Sequence, residues 1–190
     1  MRTLIKAAGS LLAGLLLLGA IAIFAMSRPR DLTSYQAYRE PQLVNLPAQQ
    51  VLVLERSGDP NQIIPELLSI YYQLPEVEHG APPPPRSRPG LYALPVSPSV
   101  TSAPAPARLE TWTYGDVAQL LYEGPRARQQ QAIDTLEAFI GSKGYRASGP
   151  REDEYLRGAG LFGSGDSEHA LTLIRYPVEK KEAKPSASQM

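Results

Sequence analysis

The chain has no cysteine, two histidines and a single tryptophan. Without cysteine there is no disulfide, no thiolate metal site and no thiol nucleophile. With only His79 and His169, far apart in the sequence, a histidine-based metal centre or a Ser-His-Asp triad has little to build from. Positive charge is also scarce where a nucleic acid would need it. All 19 acidic residues fall within 31–190, with only 15 of the 19 basic ones, which leaves that part near −4. No Lys/Arg-rich face stands out, so no nucleic-acid partner is expected. The composition implies no cofactor either.

Against these absences stands one long apolar run. Residues 7–26, AAGSLLAGLLLLGAIAIFAM, are twenty residues without a charge. At ~1.5 Å per residue a helix of that length matches the ~30 Å hydrocarbon core of a bilayer. The run reads as a single-pass anchor over 1–28, with a cleavable signal peptide as the alternative because Ala20-Ile21-Ala22 has the shape of a cleavage site. A charged linker, 29–40, would then hold the following domain at the inner membrane, with the domain expected on the periplasmic side. An envelope protein is a further possible partner of such a tethered domain.

Prolines are abundant, 19 in all, and two stretches read as spacers: APPPPRSRP at 81–89 and SPSVTSAPAPA at 97–107. The end of the chain, 179–190, reads as a solvated tail.

Between these segments the chain repeats itself. A shift of 66 residues places Leu43 on Leu109, Leu46 on Trp112, Val51 on Val117 and Leu54 on Leu120. It continues with Gly58 on Gly124, Leu67 on Ile133, Ile70 on Leu136 and Leu74 on Ile140, without a gap. After a three-residue slip Tyr92 falls opposite Tyr155. Each copy, about 42–100 and 108–178, opens with an extended run ending at glycine and continues into an amphipathic helix. Asp59-Pro60 caps the first helix, whose stripe is Ile63, Leu67, Ile70, Tyr71 and Leu74. The second helix starts at Gly124-Pro125, carries Ile133, Leu136, Phe139 and Ile140, and ends at Gly141. Strands over 152–157 and 170–178 follow. The fold class expected is α+β, a pseudo-twofold duplication of a strand–helix–strand–strand unit. Both helices would lie on one face of an antiparallel sheet, leaving the other face free to form a cleft. In the first copy the proline-rich segments stand where the last two strands would be.

The order YEGP (122–125), GY (144–145), GPREDEYL (149–156) and LTLIRYPV (171–178), with LPAQQVLVLERSGD (46–59) in the first copy, resembles the GyrI-like small-molecule-binding domains, relatives of the SOUL haem-binding proteins. The resemblance covers about 41–178. It implies a ligand cleft between the copies, with aromatic walls around a carboxylate, taking a cationic or amphipathic small molecule. The acidic position two before Tyr155 is Asp153, where the family has glutamate. The binding residues expected are Asp153, Tyr155, Tyr122, Trp112, Tyr92 and Glu154, with Tyr71 a further candidate wall. Glu152 and Glu154 alternate with Asp153 and so point to the opposite face of a strand. Two alternatives remain on the sequence: a hydrolase in which Asp153 or Glu154 activates water, and haem binding through His79 or His169.

Overall fold

Among the described residues, alternating and continuous apolar runs become nine strands, all joined antiparallel, and two α-helices. The computed structural model describes residues 32–77, 80–158 and 168–182. The apolar run 7–26, His79 and residues 183–190 lie outside that set. Among the described residues no helix is long and apolar enough to cross a membrane.

The strands are β1 (Gln42–Leu46), β2 (Gln49–Glu55), β3 (Arg86–Arg88), β4 (Leu91–Pro95), β5 (Arg108–Trp112), β6 (Gly115–Glu123), β7 (Tyr145–Ala147), β8 (Glu152–Arg157) and β9 (Leu171–Lys180). Eight of them follow the order β1-β6-β9-β8-β3-β4-β2-β5, and β7 pairs with β9. Helix α1 spans Pro60–Tyr71 and α2 spans Gln130–Ser142. The described residues of Leu32–Val77 and from Pro83 onward form one compact unit; Gly80–Pro82 belong to a second, whose other residues lie outside the described set.

The strand order reads the same from both ends once the 66-residue shift is applied. It carries β1 onto β5, β2 onto β6 and β3 onto the start of β8, and β4 and β9 then occupy matching places. The seam between the halves is the β3–β8 pair. The first strands are exchanged: β1 pairs with β6, and β5 with β2. An exchange of this kind ties each half to the other by backbone hydrogen bonds as well as by packing.

The two helices cover one face. Ile64, Leu67 and Leu68 of α1 pack on Leu52, Leu54 and Leu94. Ile133, Leu136 and Ile140 of α2 pack on the equivalent Ala118 and Leu120 and on Ile174. Each fully buried leucine or isoleucine contributes about 1.5–3 kcal/mol through removal of its side chain from water. Asp59 caps α1, its carboxylate accepting from the Asn61 N–H at 3.0 Å, with Pro60 in the first turn. The helix carries Pro65 inside it, one and a half turns from its start. In the second copy Gly124-Pro125 leads into a 3-10 turn, Arg126–Arg128, before α2 begins. Gly141 lies inside α2, and Gly144, at φ +77°, takes the left-handed turn that releases the chain into β7.

Several expectations are corrected. The segment 81–89, read as a spacer, supplies β3, the central strand of the seam, and β4 follows it; the first copy therefore has both of its later strands. Proline lacks a donor but not an acceptor, and Pro85 uses its carbonyl to receive the Tyr155 N–H at 2.8 Å. Tyr92 lies on β4 and Tyr155 on β8, so the two tyrosines are not equivalent in the repeat. Within the stretch read as a linker, Thr33–Arg39 form a 3-10 turn, and its Tyr35 and Tyr38 pack against Leu121, Leu156, Leu171 and Leu173. Glu179 and Lys180, read as tail, pair with β7 as part of β9. The sheet face opposite the helices is consequently not free: this turn covers part of it.

Candidate functional site

Strand β8 sends alternate side chains to opposite faces. Asp153 and Tyr155 point to the helix side, Glu152 and Glu154 to the other, and all four are buried. Beside β8, Ser87 of β3 stands opposite Asp153 in register, and Arg86 opposite Glu154.

On the helix side the Ser87 and Tyr155 hydroxyls lie 2.7 Å apart. Tyr92 donates its hydroxyl to the Gly58 carbonyl at 2.6 Å, where φ is +143° and glycine is required to turn the chain into α1. Two adjoining hollows open here. One, about 440 Å³, is lined by Ser87, Tyr92, Arg126, Arg151, Asp153 and Tyr155, among others. The second, about 420 Å³, shares Arg126 and Tyr155 and reaches Asp59 and Asn61 at the start of α1, with Arg157 and Thr172. Together they make a cleft along the seam, floored by β3 and β8.

Asp153 is 5 % exposed. Burial raises its carboxyl above the ordinary aspartate range, and the Arg151 guanidinium, 3.1 Å away through Nε, offsets part of that rise. Its Oδ1 has no hydrogen bond of good geometry, while Oδ2 accepts from Arg151 Nη2 at 3.2 Å. Burial, and then the nearby Asp153 charge, push the Tyr155 phenol upward. Burial likewise raises Tyr92. Both phenols therefore remain protonated donors at neutral pH. Five arginines line the cleft, 56, 88, 126, 151 and 157, against two aspartates, 59 and 153, but Arg88 sends its guanidinium to the opposite face.

Of the six residues expected at the site, the structure brings Asp153, Tyr155 and Tyr92 together. Tyr122 is on the same face but lines another hollow and donates to the Pro125 carbonyl at 3.0 Å. Trp112 and Glu154 are on the opposite face. Trp112 donates to Glu110 at 2.9 Å and carries the Arg88 guanidinium 3.8 Å above its ring. Glu154 is ion-paired to Arg86 and Arg175 at 3.2 and 3.1 Å. Tyr71 packs edge-on to Tyr72 beside the α1 core. His169 has a largely exposed side chain beside Glu123. Ser87, Arg126 and Arg151 escaped the sequence reading. For Ser87 a signal was present: the 66-residue shift, continued without a slip, lays Arg86-Ser87-Arg88 on Glu152-Asp153-Glu154.

Among the described residues no cluster of metal-ligating side chains exists. No protein-family model matches the chain, and no curated protein matches it. Solved structures do share its fold. A hydrolase from Listeria innocua superposes with a TM-score of 0.60 at 16% identity, over 78% of this chain and 98% of its own. An uncharacterized conserved protein from Listeria innocua gives 0.62 at 16% identity, over 78% and 97%. The C-terminal domain of EcmrR gives 0.59 at 14% identity, over 75% and 98%. EcmrR has also been solved in a complex with DNA, where the TM-score is 0.60 at 15% identity, over 88% of this chain and 70% of that one. At these identities the likeness is one of fold: a duplicated α+β sheet domain found both alone and as part of a larger chain.

Proposed function

We propose that this chain is a small-molecule-binding protein whose ligand lies in the cleft over Ser87, Asp153 and Tyr155. The observation that carries the reading is convergence. Both halves deliver polar and aromatic groups to one concave seam, with a buried carboxylate of raised pKa at its floor. Tyr92 and Tyr155 offer ring surface, and Arg126 and Arg151 offer charge. An amphipathic molecule suits this mixture. A lipophilic cation would find Asp153 already paired with Arg151 and the rim predominantly basic, so an amphipathic ligand with a neutral or acidic polar group is the better match. The test is a thermal-shift panel of matched aromatic acids, neutral aromatics and lipophilic cations, repeated on Asp153→Asn and Arg126→Ala. Stabilisation by acids or neutral aromatics that is lost in Arg126→Ala is expected. A shift from cations alone, lost in Asp153→Asn, would reverse the charge preference, and no shift from any class would remove the reading.

A membrane tether belongs to the same proposal and rests on the sequence of 7–26, with a periplasmic domain and an envelope protein as further partner. A phosphatase fusion after Met190 reports the side. A second reading, hydrolysis of an electrophilic small molecule, is favoured by the raised carboxyl of Asp153, which suits a general base. Glu154 does not serve as its alternative, being on the far face. Turnover abolished in Asp153→Asn with ligand-induced stabilisation retained would select this reading over binding alone.

A further inference from the structure

Asp153 meets its counter-ion from the solvent side. Arg151 stands two residues before it, just ahead of β8, so both side chains turn toward the cleft. Its guanidinium faces both carboxylate oxygens: Nε lies 3.1 Å from Oδ1, and Nη2 donates to Oδ2 at 3.2 Å. The Arg151 side chain is 36% exposed, against 6% for Arg175, which pairs with Glu152 and Glu154 on the far face. Arg175 is held within the sheet, whereas Arg151 reaches a buried carboxylate across the mouth of a hollow that both line. The pairing of β8 with β9 begins at Glu152, so the Arg151 side chain can leave without disturbing a strand. The 66-residue shift lays Pro85 on Arg151, and the first copy therefore supplies no equivalent cation. The other groups around Asp153 leave its charge chiefly to Arg151. Gln129 is neutral, burial keeps Tyr92, Tyr155 and Tyr176 protonated, and Arg126 acts on the carboxylate more weakly than Arg151 does.

We infer that Arg151 is the specificity-determining residue of the cleft: its guanidinium fills the place beside Asp153 that a cationic ligand group would need, and so turns cations away. The inference rests on the reading of the cleft as a ligand site. A carboxylate buried among tyrosine rings is by itself a cation site, through charge pairing and through the faces of the rings. Here the chain supplies the cation. A ligand's ammonium group would compete with a guanidinium tethered two residues away, which faces both oxygens in the planar arrangement that suits a carboxylate. The tether makes that competition intramolecular, with a correspondingly high effective concentration of the guanidinium. An incoming cation also meets repulsion from Arg151 and Arg126, and an introduced repulsion discriminates more sharply than a missing attraction. Removing the Arg151 charge should therefore open the cleft to cations, with Asp153 as their partner.

The experiment is a calorimetric titration of the full chain with benzyltrimethylammonium chloride and, separately, with benzyl alcohol, at about pH 8, well above the ordinary carboxylate range. The proteins are the wild type, Arg151→Met, Arg151→Lys and the double variant Arg151→Met with Asp153→Asn. Methionine keeps much of the side-chain length and removes the charge, whereas lysine keeps the charge. The cation is expected to bind Arg151→Met roughly tenfold or more tighter than the wild type. Arg151→Lys should show little of that gain, and the double variant none. The gain should also fade as pH is lowered, because protonation of Asp153 removes the charge that the cation pairs with. Benzyl alcohol, which is uncharged, reports whether the cleft of each protein binds at all. Binding of benzyl alcohol with no gain for the cation in Arg151→Met would overturn the inference and leave the cleft standing. A gain that survives in the double variant would overturn it too, since the cation would then lie elsewhere. If neither compound binds any of the proteins, the reading of the cleft falls and the inference with it. Arg151→Gln takes the place of Arg151→Met if circular dichroism shows that the methionine variant has not folded.

Discussion

Exchanging Glu152 for glutamine removes one charge and keeps the shape, and the structure says what that charge is worth. Glu152 is 1% exposed and receives Arg88 and Arg175 at 2.8 Å each, with Arg86 at 3.9 Å and the Tyr114 hydroxyl at 3.2 Å. In Glu152→Gln three guanidiniums would share the one remaining carboxylate of Glu154. Breaking a buried pair by removing one partner costs about 3–5 kcal/mol, because the other charge stays buried without compensation. Glutamine keeps one acceptor oxygen, which places the expected loss near the lower end, about 3 kcal/mol. The control is Glu179→Gln, whose ion pair with Arg146 is exposed on both sides and is expected to contribute about 0–1 kcal/mol. Urea unfolding followed by far-ultraviolet circular dichroism measures both, and an unchanged slope with denaturant shows that the unfolded states are comparable. A loss in Glu152→Gln no larger than in Glu179→Gln would refute the assignment of this cluster as a desolvated network. Adding Arg88→Met to Glu152→Gln should recover part of the loss, since it removes one of the orphaned cations.

Asp153 makes the opposite kind of contribution. Burial raises its folded-state pKa, so the protonated form favours folding, and that advantage is lost as pH rises through the folded value. Asp153→Asn is therefore expected to be at least as stable as the wild type at neutral pH, with the difference vanishing below about pH 4; melting temperatures across pH measure this, and a variant less stable at pH 7 than at pH 4 relative to wild type contradicts it. Gly124→Ala should destabilise by roughly 1–3 kcal/mol, because φ there is +138° and a Cβ would sit 2.7 Å from the Tyr122 hydroxyl oxygen, displacing its bond to Pro125. A melting curve unchanged by that substitution would mean the turn is not held as described.

The helices and the longer strands were legible because each announces itself locally. The stripe Ile133, Leu136, Ile140 has helical period, Val51-Leu52-Val53-Leu54 is a continuous β-rich apolar run, and Asp59-Pro60 is a capping signal. Strand β3 was hidden by its own composition: three residues set between prolines have no period to read, and only pairing on both sides makes them a strand. Trp112 was misplaced for a related reason, whereas alternation along β8 already set Glu154 on the face away from Asp153. Periodicity shows that a residue faces inward, but not which of two buried faces receives it, and here both faces of the sheet are partly covered. The repeat nevertheless contains the answer at the seam. Continued without a slip, it lays Arg86-Ser87-Arg88 on Glu152-Asp153-Glu154, and the structure pairs those same segments across the pseudo-twofold axis. Two identical copies of either segment would bring arginine to arginine or glutamate to glutamate in a buried setting, which like-charge repulsion forbids. Divergence to opposite charge turns the most strained place in a symmetric pairing into its most specific contact. It also leaves the intervening pair, Ser87 and Asp153, unequal on the cleft side. The asymmetry that makes the seam stable thus gives the cleft a single carboxylate, where strict symmetry would give two or none.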